Sequence, residues 1–187
     1  MARTPSNMLP LGTELPDTVL PDPAGETWKL SQRMGEKGLV VMFICNHCPF
    51  VLHIAPFLEE LNDKLNDMGI RCIAISSNDV KEYPDDAPDK MALFAKEYKL
   101  AFPYLYDESQ KVAKSFDAAC TPDFFLFDRN RRLMYRGQLD ESRPGNDVPV
   151  TGADLLAAAE QVAQGKEPPA DQQKPSLGCN IKWKASS

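Results

Sequence analysis

The stretch LVVMFICNHCPFVLHIAPFLEELNDKLNDMG, residues 39–69, decides the fold. Its first six residues are apolar on both faces and rich in branched side chains, and a run without alternation suits a strand buried in the middle of a sheet. The remainder reads as one long helix. Phe50, Val51, Ile54, Phe57, Leu58, Leu61, Leu65 and Met68 recur at the three-to-four spacing of a single buried stripe, and Gly69 supplies the stop. Pro49 falls in the first turn, where its missing N–H costs nothing, and Pro56 falls inside, where it kinks the helix.

Between strand and helix stand Cys45, Asn46, His47 and Cys48. At such a junction the first sulfur lies beside the unpaired N–H groups of the helix start, so the thiolate is expected on Cys45, with a pKa below the free value of ~8.5. Cys48, one turn on, lies within reach and is expected to be the less exposed of the two. Two thiols so placed suit attack on a disulfide by Cys45 and release of the mixed disulfide by Cys48. His47 brings an imidazole near both sulfurs.

Outward from this junction, residues 1–17 form an extended, proline-punctuated lead-in, and residues 18–20 and 27–30 flank PDPAGE as a small hairpin. Downstream, IRCIAIS is a second buried strand, with Cys72 in its core, and residues 89–99 carry helical spacing. FPYLYD is a short strand and ESQKVAKSF a short helix. TPDFFLFD and RLMYRG make a hairpin, with Phe124, Phe125 and Phe127 as core. A helix opened by Thr151 and closed by Gly165 ends the domain. Residues 166–178 are polar and rich in proline, but CNIKW after them has apolar company, so the tail is expected to dock on the body. Strand–helix–strand units force parallel neighbours and the late hairpin adds antiparallel ones. The fold class is therefore α/β, a mixed central β-sheet flanked by helices, with an N-terminal β-hairpin and an extended C-terminal tail. Residues 1–165 are the domain and 166–187 the tail.

The chain's 187 residues exclude two large domains, and 43% hydrophobic with 26% charged residues excludes general disorder. A net charge of -6 offers no electrostatic case for nucleic acid, and no apolar run approaches a membrane span. The proline-broken start does not read as a secretory signal, so the cytosol is the expected location. Five cysteines, an odd number, argue against a disulfide-stapled scaffold and favour redox or metal chemistry. Zinc needs a second ligand pair beyond Cys45 and Cys48, and His53 is the only other histidine, so no metal and no cofactor are expected. Asp85, Asp86 and Asp89 read as a helix-start device.

FICNHCPF at a strand-to-helix junction, with Thr121-Pro122 much later before a hairpin, resembles the thioredoxin superfamily, within it the alkyl hydroperoxide reductase/thiol-specific antioxidant (redoxin) branch. The resemblance spans roughly residues 13–165. It implies a thioredoxin-like fold and a cis Pro122 facing the active-site disulfide, with the Thr121 backbone pairing with a bound substrate chain. The residue three before Cys45 is Met42, where the resemblance asks for Thr or Ser if peroxide is to be reduced. No acid stands in LVVMFI, so the proton acceptor during resolution is His47 or solvent. Cys120 adjoins Thr121-Pro122 and Cys179 ends the tail. They form a disulfide or an oxidation relay toward Cys45, or they are two buried apolar side chains. The function expected is a thiol-disulfide oxidoreductase acting on protein or small-molecule disulfides with a thiol reductant as partner. The alternatives are a thiol-dependent peroxidase and a non-catalytic protein that binds metal or senses redox state. The sequence leaves the oligomeric state open.

Overall fold

The computed structural model describes residues 3–185. In chain order the strands are β1 (Arg3–Pro5), β2 (Val19–Pro21), β3 (Thr27–Lys29), β4 (Gly38–Phe43), β5 (Ile70–Ser76), β6 (Tyr104–Tyr106), β7 (Cys120–Thr121), β8 (Asp123–Asp128), β9 (Leu133–Gly137) and β10 (Leu177–Asn180). The helices are α1 (Pro49–Ile54), α2 (Leu58–Asp67), α3 (Pro88–Glu97), α4 (Lys111–Ser115) and α5 (Ala153–Ala163).

The central sheet runs β6-β5-β4-β8-β9. Its first three strands are parallel, and β8 and β9 are antiparallel to their neighbours. This is the mixed thioredoxin-like sheet that the sequence implies. Every residue of β4 is buried, because both faces of the sheet are covered. Val40 and Met42 pack with Leu58, Leu61 and Leu65 of α2 and with Leu155 of α5. Leu39, Val41 and Phe43 pack on the other side with Phe116, Phe125 and Phe127. There Phe116 meets Phe43 and Phe125 edge-on at ring separations of 5.3 and 5.2 Å. A fully buried Leu or Phe stabilises by about 1.5–3 kcal/mol, against about 1 for a hydrogen bond, so this packing rather than helix propensity fixes α2 on the sheet.

Two helix boundaries differ from the sequence reading. The long helix after the motif is two helices, α1 and α2, joined by a 3₁₀ turn at Ala55–Phe57, because Pro56 has no N–H to continue the ladder. Helix α5 is capped by Gly152, in the left-handed region at φ 69°, and not by Thr151. The reason is remote: the buried Asp140 carboxylate accepts the N–H groups of both Thr151 (2.8 Å) and Gly152 (2.7 Å), fixing the turn that enters the helix, while the Leu139 carbonyl accepts the first-turn N–H groups of Asp154 and Leu155.

Both ends of the described chain meet in a second sheet, ordered β1-β10-β7 and antiparallel throughout. The tail strand β10 thus lies between the lead-in and the residues just before Pro122. The approach is close: a Cβ at Gly178 would stand 2.0 Å from the Thr121 carbonyl oxygen.

Candidate active site

The peptide bond between Thr121 and Pro122 is cis. It brings this loop against the end of β4, where Cys45 is 1% and Cys48 0% exposed. The Cys45 sulfur lies 3.5 Å from the Thr121 hydroxyl, and the Cys48 thiol donates to the Thr121 carbonyl at 3.4 Å. Cys45, Cys48, Thr121 and Pro122 therefore come together from segments more than seventy residues apart.

The helix starts later than the sequence suggests. Its N-cap is Cys48, in extended geometry at φ -68° and ψ 125°, with Pro49 opening the first turn. Hydrogen bonding between the two thiols shifts them in opposite directions. A hydrogen bond from the Cys45 thiol, helped by the Cys179 thiol and by backbone N–H groups of Val51 and Cys179, pulls the Cys48 thiol below the usual range against the cost of burial. The same shared proton, together with burial and the nearby Asp86 charge, holds Cys45 well above it. The interactions that favour a thiolate thus converge on Cys48 more than on Cys45.

His47 is held by an acid that, in sequence, reads as part of a helix start. Asp86 is fully buried and approaches His47 Nδ1 at 2.7 Å. It also accepts the Asn46 N–H and the Asn78 side-chain amide, each at 2.8 Å. Tyr104 donates its hydroxyl to the Asn46 side chain at 2.8 Å, and Tyr83 stacks on the His47 ring at 5.9 Å. The turn from Cys45 to His47 is thus clamped from the loop after β5 and from β6. Nothing in the spacing of Asp86, some forty residues downstream, announces this. Cys45, His47 and Asp86 offer ligand atoms within 4.8 Å of one another, three donors of the kind a metal ion takes. His53 lies elsewhere, its Nε2 2.6 Å from the Ser142 hydroxyl.

The tail alters two further expectations. Cys179 pairs in register with Thr121, and Asn180 with Cys120, so the backbone edge expected to receive a substrate chain is filled by the protein's own β10. Residues opposite one another in a ladder project to the same face, and neighbours to opposite faces. Cys179 therefore shares the Thr121 face and Cys120 does not: the Cys179 sulfur stands 2.7 Å from that of Cys48, whereas the Cys120 thiol points to the Pro122 carbonyl at 3.8 Å. Cys179 adjoins Cys48, so the Cys120–Cys179 pairing is not the arrangement present. Burial, with the nearby Asp123 charge, raises the Cys120 thiol, and burial raises Cys72 to about 12. Asp123, next to Pro122, is buried among the Ser6 hydroxyl (2.9 Å) and its own strand, and burial lifts its carboxyl to about 7.

A thioredoxin-like sheet carrying a buried Cys-x-x-Cys beside a cis-proline loop defines the class, a thioredoxin-fold protein of thiol redox chemistry. The chain belongs to the Redoxin family, whose model matches residues 10–155. It is similar in structure to an uncharacterized conserved protein of Geobacillus kaustophilus, with 47% identity, a TM-score of 0.96 and coverage of 100% of this chain and 99% of that one. A hypothetical protein of Sinorhizobium meliloti 1021 is also 47% identical, with a TM-score of 0.94 over 98% of this chain and 100% of its own. The fold is shared more distantly with a peroxidoxin of Mycobacterium tuberculosis, 20% identical at a TM-score of 0.61 over 80% of this chain and 95% of that one. No curated protein matches the chain. Among the described residues no helix is long and apolar enough to cross a membrane.

Proposed function

We propose that the protein is a thiol-disulfide oxidoreductase in which Cys45 and Cys48 cycle between dithiol and disulfide. One observation carries the reading: both motif sulfurs lie against Thr121 of the cis-proline loop, Cys45 3.5 Å from its hydroxyl and Cys48 3.4 Å from its carbonyl. The Cys48 thiolate attacks one sulfur of a substrate disulfide. That S–S bond breaks, and the departing sulfur takes the electron pair and a proton. Cys45 then gives up its proton and attacks the Cys48 sulfur, which releases the second substrate thiol and closes the Cys45–Cys48 disulfide. His47, held by Asp86, is the group placed to receive the Cys45 proton. A thiol reductant reopens the disulfide, and no cofactor is called for.

Both motif sulfurs are buried, so a small disulfide reaches them with less rearrangement than a protein chain, which has to displace β10 from Thr121. We place the reaction in the cytosol, where thiols are kept reduced. The test is reduction of insulin and of oxidised glutathione in the presence of dithiothreitol. Turnover is expected to vanish in Cys48→Ser and to fall in Cys45→Ser, which lacks the second thiol of the motif. Burial of Cys48 favours a second reading, reduction of a small oxidant such as peroxide. Peroxide consumption that depends on Cys48 and outpaces disulfide turnover would reverse the ranking. Stoichiometric metal in the purified protein without either activity would turn it toward metal handling through Cys45, His47 and Asp86.

A further inference from the structure

We infer that Cys179 of the tail is a third redox cysteine, and that a disulfide made between Cys45 and Cys48 passes to Cys48 and Cys179. The inference deepens the function proposed above and rests on it, because the disulfide that moves is the one the motif makes.

The geometry is specific to this cysteine. The Cys179 and Cys48 sulfurs are 2.7 Å apart, within ~0.7 Å of the ~2.05 Å length of a disulfide bond. Of the three cysteines outside the motif, Cys179 alone among the described residues sets its sulfur against a motif sulfur: Cys120 faces the other side of its strand, and Cys72 sits in the core of β5. The contact is not an accident of a loose tail, since the chain is fastened on both sides of Cys179. Before it, the Ser176 N–H reaches the Ser6 hydroxyl and the Ser176 hydroxyl reaches the Gly137 carbonyl, both at 2.7 Å. After it, the Lys182 N–H donates to Asn78 at 2.8 Å, and the Lys182 carbonyl accepts from Gln110 at 2.9 Å. Asn78 also donates to Asp86, so the anchor of the tail and the clamp on His47 share a residue. Between the anchors, Gly178 lets β10 approach the Thr121 carbonyl more closely than any side chain permits. A cysteine that merely filled space would need neither this approach nor a thiol opposite it.

The exchange balances without an outside oxidant. Cys179, having released its proton, attacks the Cys48 sulfur of the Cys45–Cys48 disulfide. The Cys48–Cys179 bond forms as the Cys45–Cys48 bond breaks, and Cys45 leaves with the electron pair and takes up a proton. The number of disulfides is unchanged. One proton has moved from Cys179 to Cys45, and the tail is now tied covalently to the domain. Cys45 is returned as a free thiol while the oxidising equivalent is held on the tail, until a reducing thiol opens Cys48–Cys179.

The test is disulfide mapping on the full chain. Wild type, Cys45→Ser, Cys179→Ala and Cys120→Ser are equilibrated with mixtures of reduced and oxidised glutathione, quenched in acid, alkylated and mapped by peptide mass spectrometry. Expected are a Cys48–Cys179 bond in Cys45→Ser, a Cys45–Cys48 bond in Cys179→Ala, and both in wild type and in Cys120→Ser. If Cys179→Ala forms Cys45–Cys48 while neither wild type nor Cys45→Ser ever yields Cys48–Cys179, the relay is wrong and the oxidoreductase reading stands. A bond between Cys120 and Cys179 would overturn the relay equally. If no variant forms Cys45–Cys48 and none reduces insulin, the underlying reading fails as well. The wild-type map decides the matter even where a variant does not fold.

Discussion

Replacing Gly178 by Ala tests whether the tail strand places the third sulfur. The added Cβ would stand 2.0 Å from the Thr121 carbonyl oxygen, 2.6 Å from its carbon and 3.2 Å from the Pro122 nitrogen. All three are backbone atoms, so no flexible side chain can yield. Restoring an ordinary contact of about 3.4 Å requires β10 to withdraw by about 1.4 Å from β7. That movement stretches the ladder at Cys179 and Thr121 and carries Cys179 away from Cys48. Losing two backbone hydrogen bonds at about 0.5–1.5 kcal/mol each gives a cost of about 1–3 kcal/mol. As a coupling energy this is roughly a 5- to 150-fold fall in the population of the docked strand. Urea unfolding reads the stability, and disulfide mapping in a glutathione buffer reads the ratio of Cys48–Cys179 to Cys45–Cys48. Both should fall in Gly178→Ala, whereas Cys179→Ala should lose the Cys48–Cys179 bond with a smaller change in stability. A Gly178→Ala protein with wild-type stability and a wild-type disulfide ratio would refute the reasoning.

Asp123→Asn addresses pH. With its carboxyl near 7 in the folded chain and 3.8 in the unfolded one, Asp123 keeps a proton in the native state that the unfolded state releases. Stability from this group therefore declines as pH climbs from about 4 to about 7 and levels above it, by about 4 kcal/mol at most. Asn should flatten that decline in unfolding measured from pH 4 to about 8. Asp86→Asn should lower the Cys45 thiol pKa, because the Asp86 charge is one of the causes that raise it. It should also cost about 1–3 kcal/mol, since the Asn46 N–H and the buried Asn78 amide are left with one acceptor oxygen between them. Thiolate ultraviolet absorbance across a pH titration, done in a Cys48→Ser background, reads the first effect. Asp140→Ala should destabilise by about 1–3 kcal/mol, because the buried Gly152 N–H loses its acceptor at the entry to α5, as thermal unfolding would show.

The sheet is legible in the sequence because its strands are buried on both faces: LVVMFI and IRCIAIS carry their placement in composition alone. The motif is legible because both cysteines lie within four residues and at a change of periodicity. What surrounds each sulfur is not. That depends on where the helix begins, which Pro49 displaces to Cys48, and on a sulfur arriving from the tail. Asp86 reads as a helix-start acid because a local role is available. Its true partners come from the motif turn and the loop after β5, and a side chain's burial in such a junction leaves no periodic trace. Cys120 and Cys179 pair naturally on paper because each lacks another evident partner in the sequence. The register of β10 on β7, fixed only when the sheet forms, separates them by one residue and hence by one face.

The two sulfurs that flank Cys48 differ in how far along the chain they must travel to reach it. Cys45 is three residues away, whereas Cys179 is 131. In an unfolded chain, closing the longer loop costs about 3 kcal/mol more in chain entropy than closing the shorter one. A denatured or half-made molecule exposed to an oxidant will thus trap Cys45 with Cys48 long before Cys179 arrives. The Cys48–Cys179 bond needs the lead-in strand, the tail strand and the cis-proline loop already assembled, so its appearance during refolding would certify that the whole molecule, from Arg3 to Lys182, has reached its native arrangement.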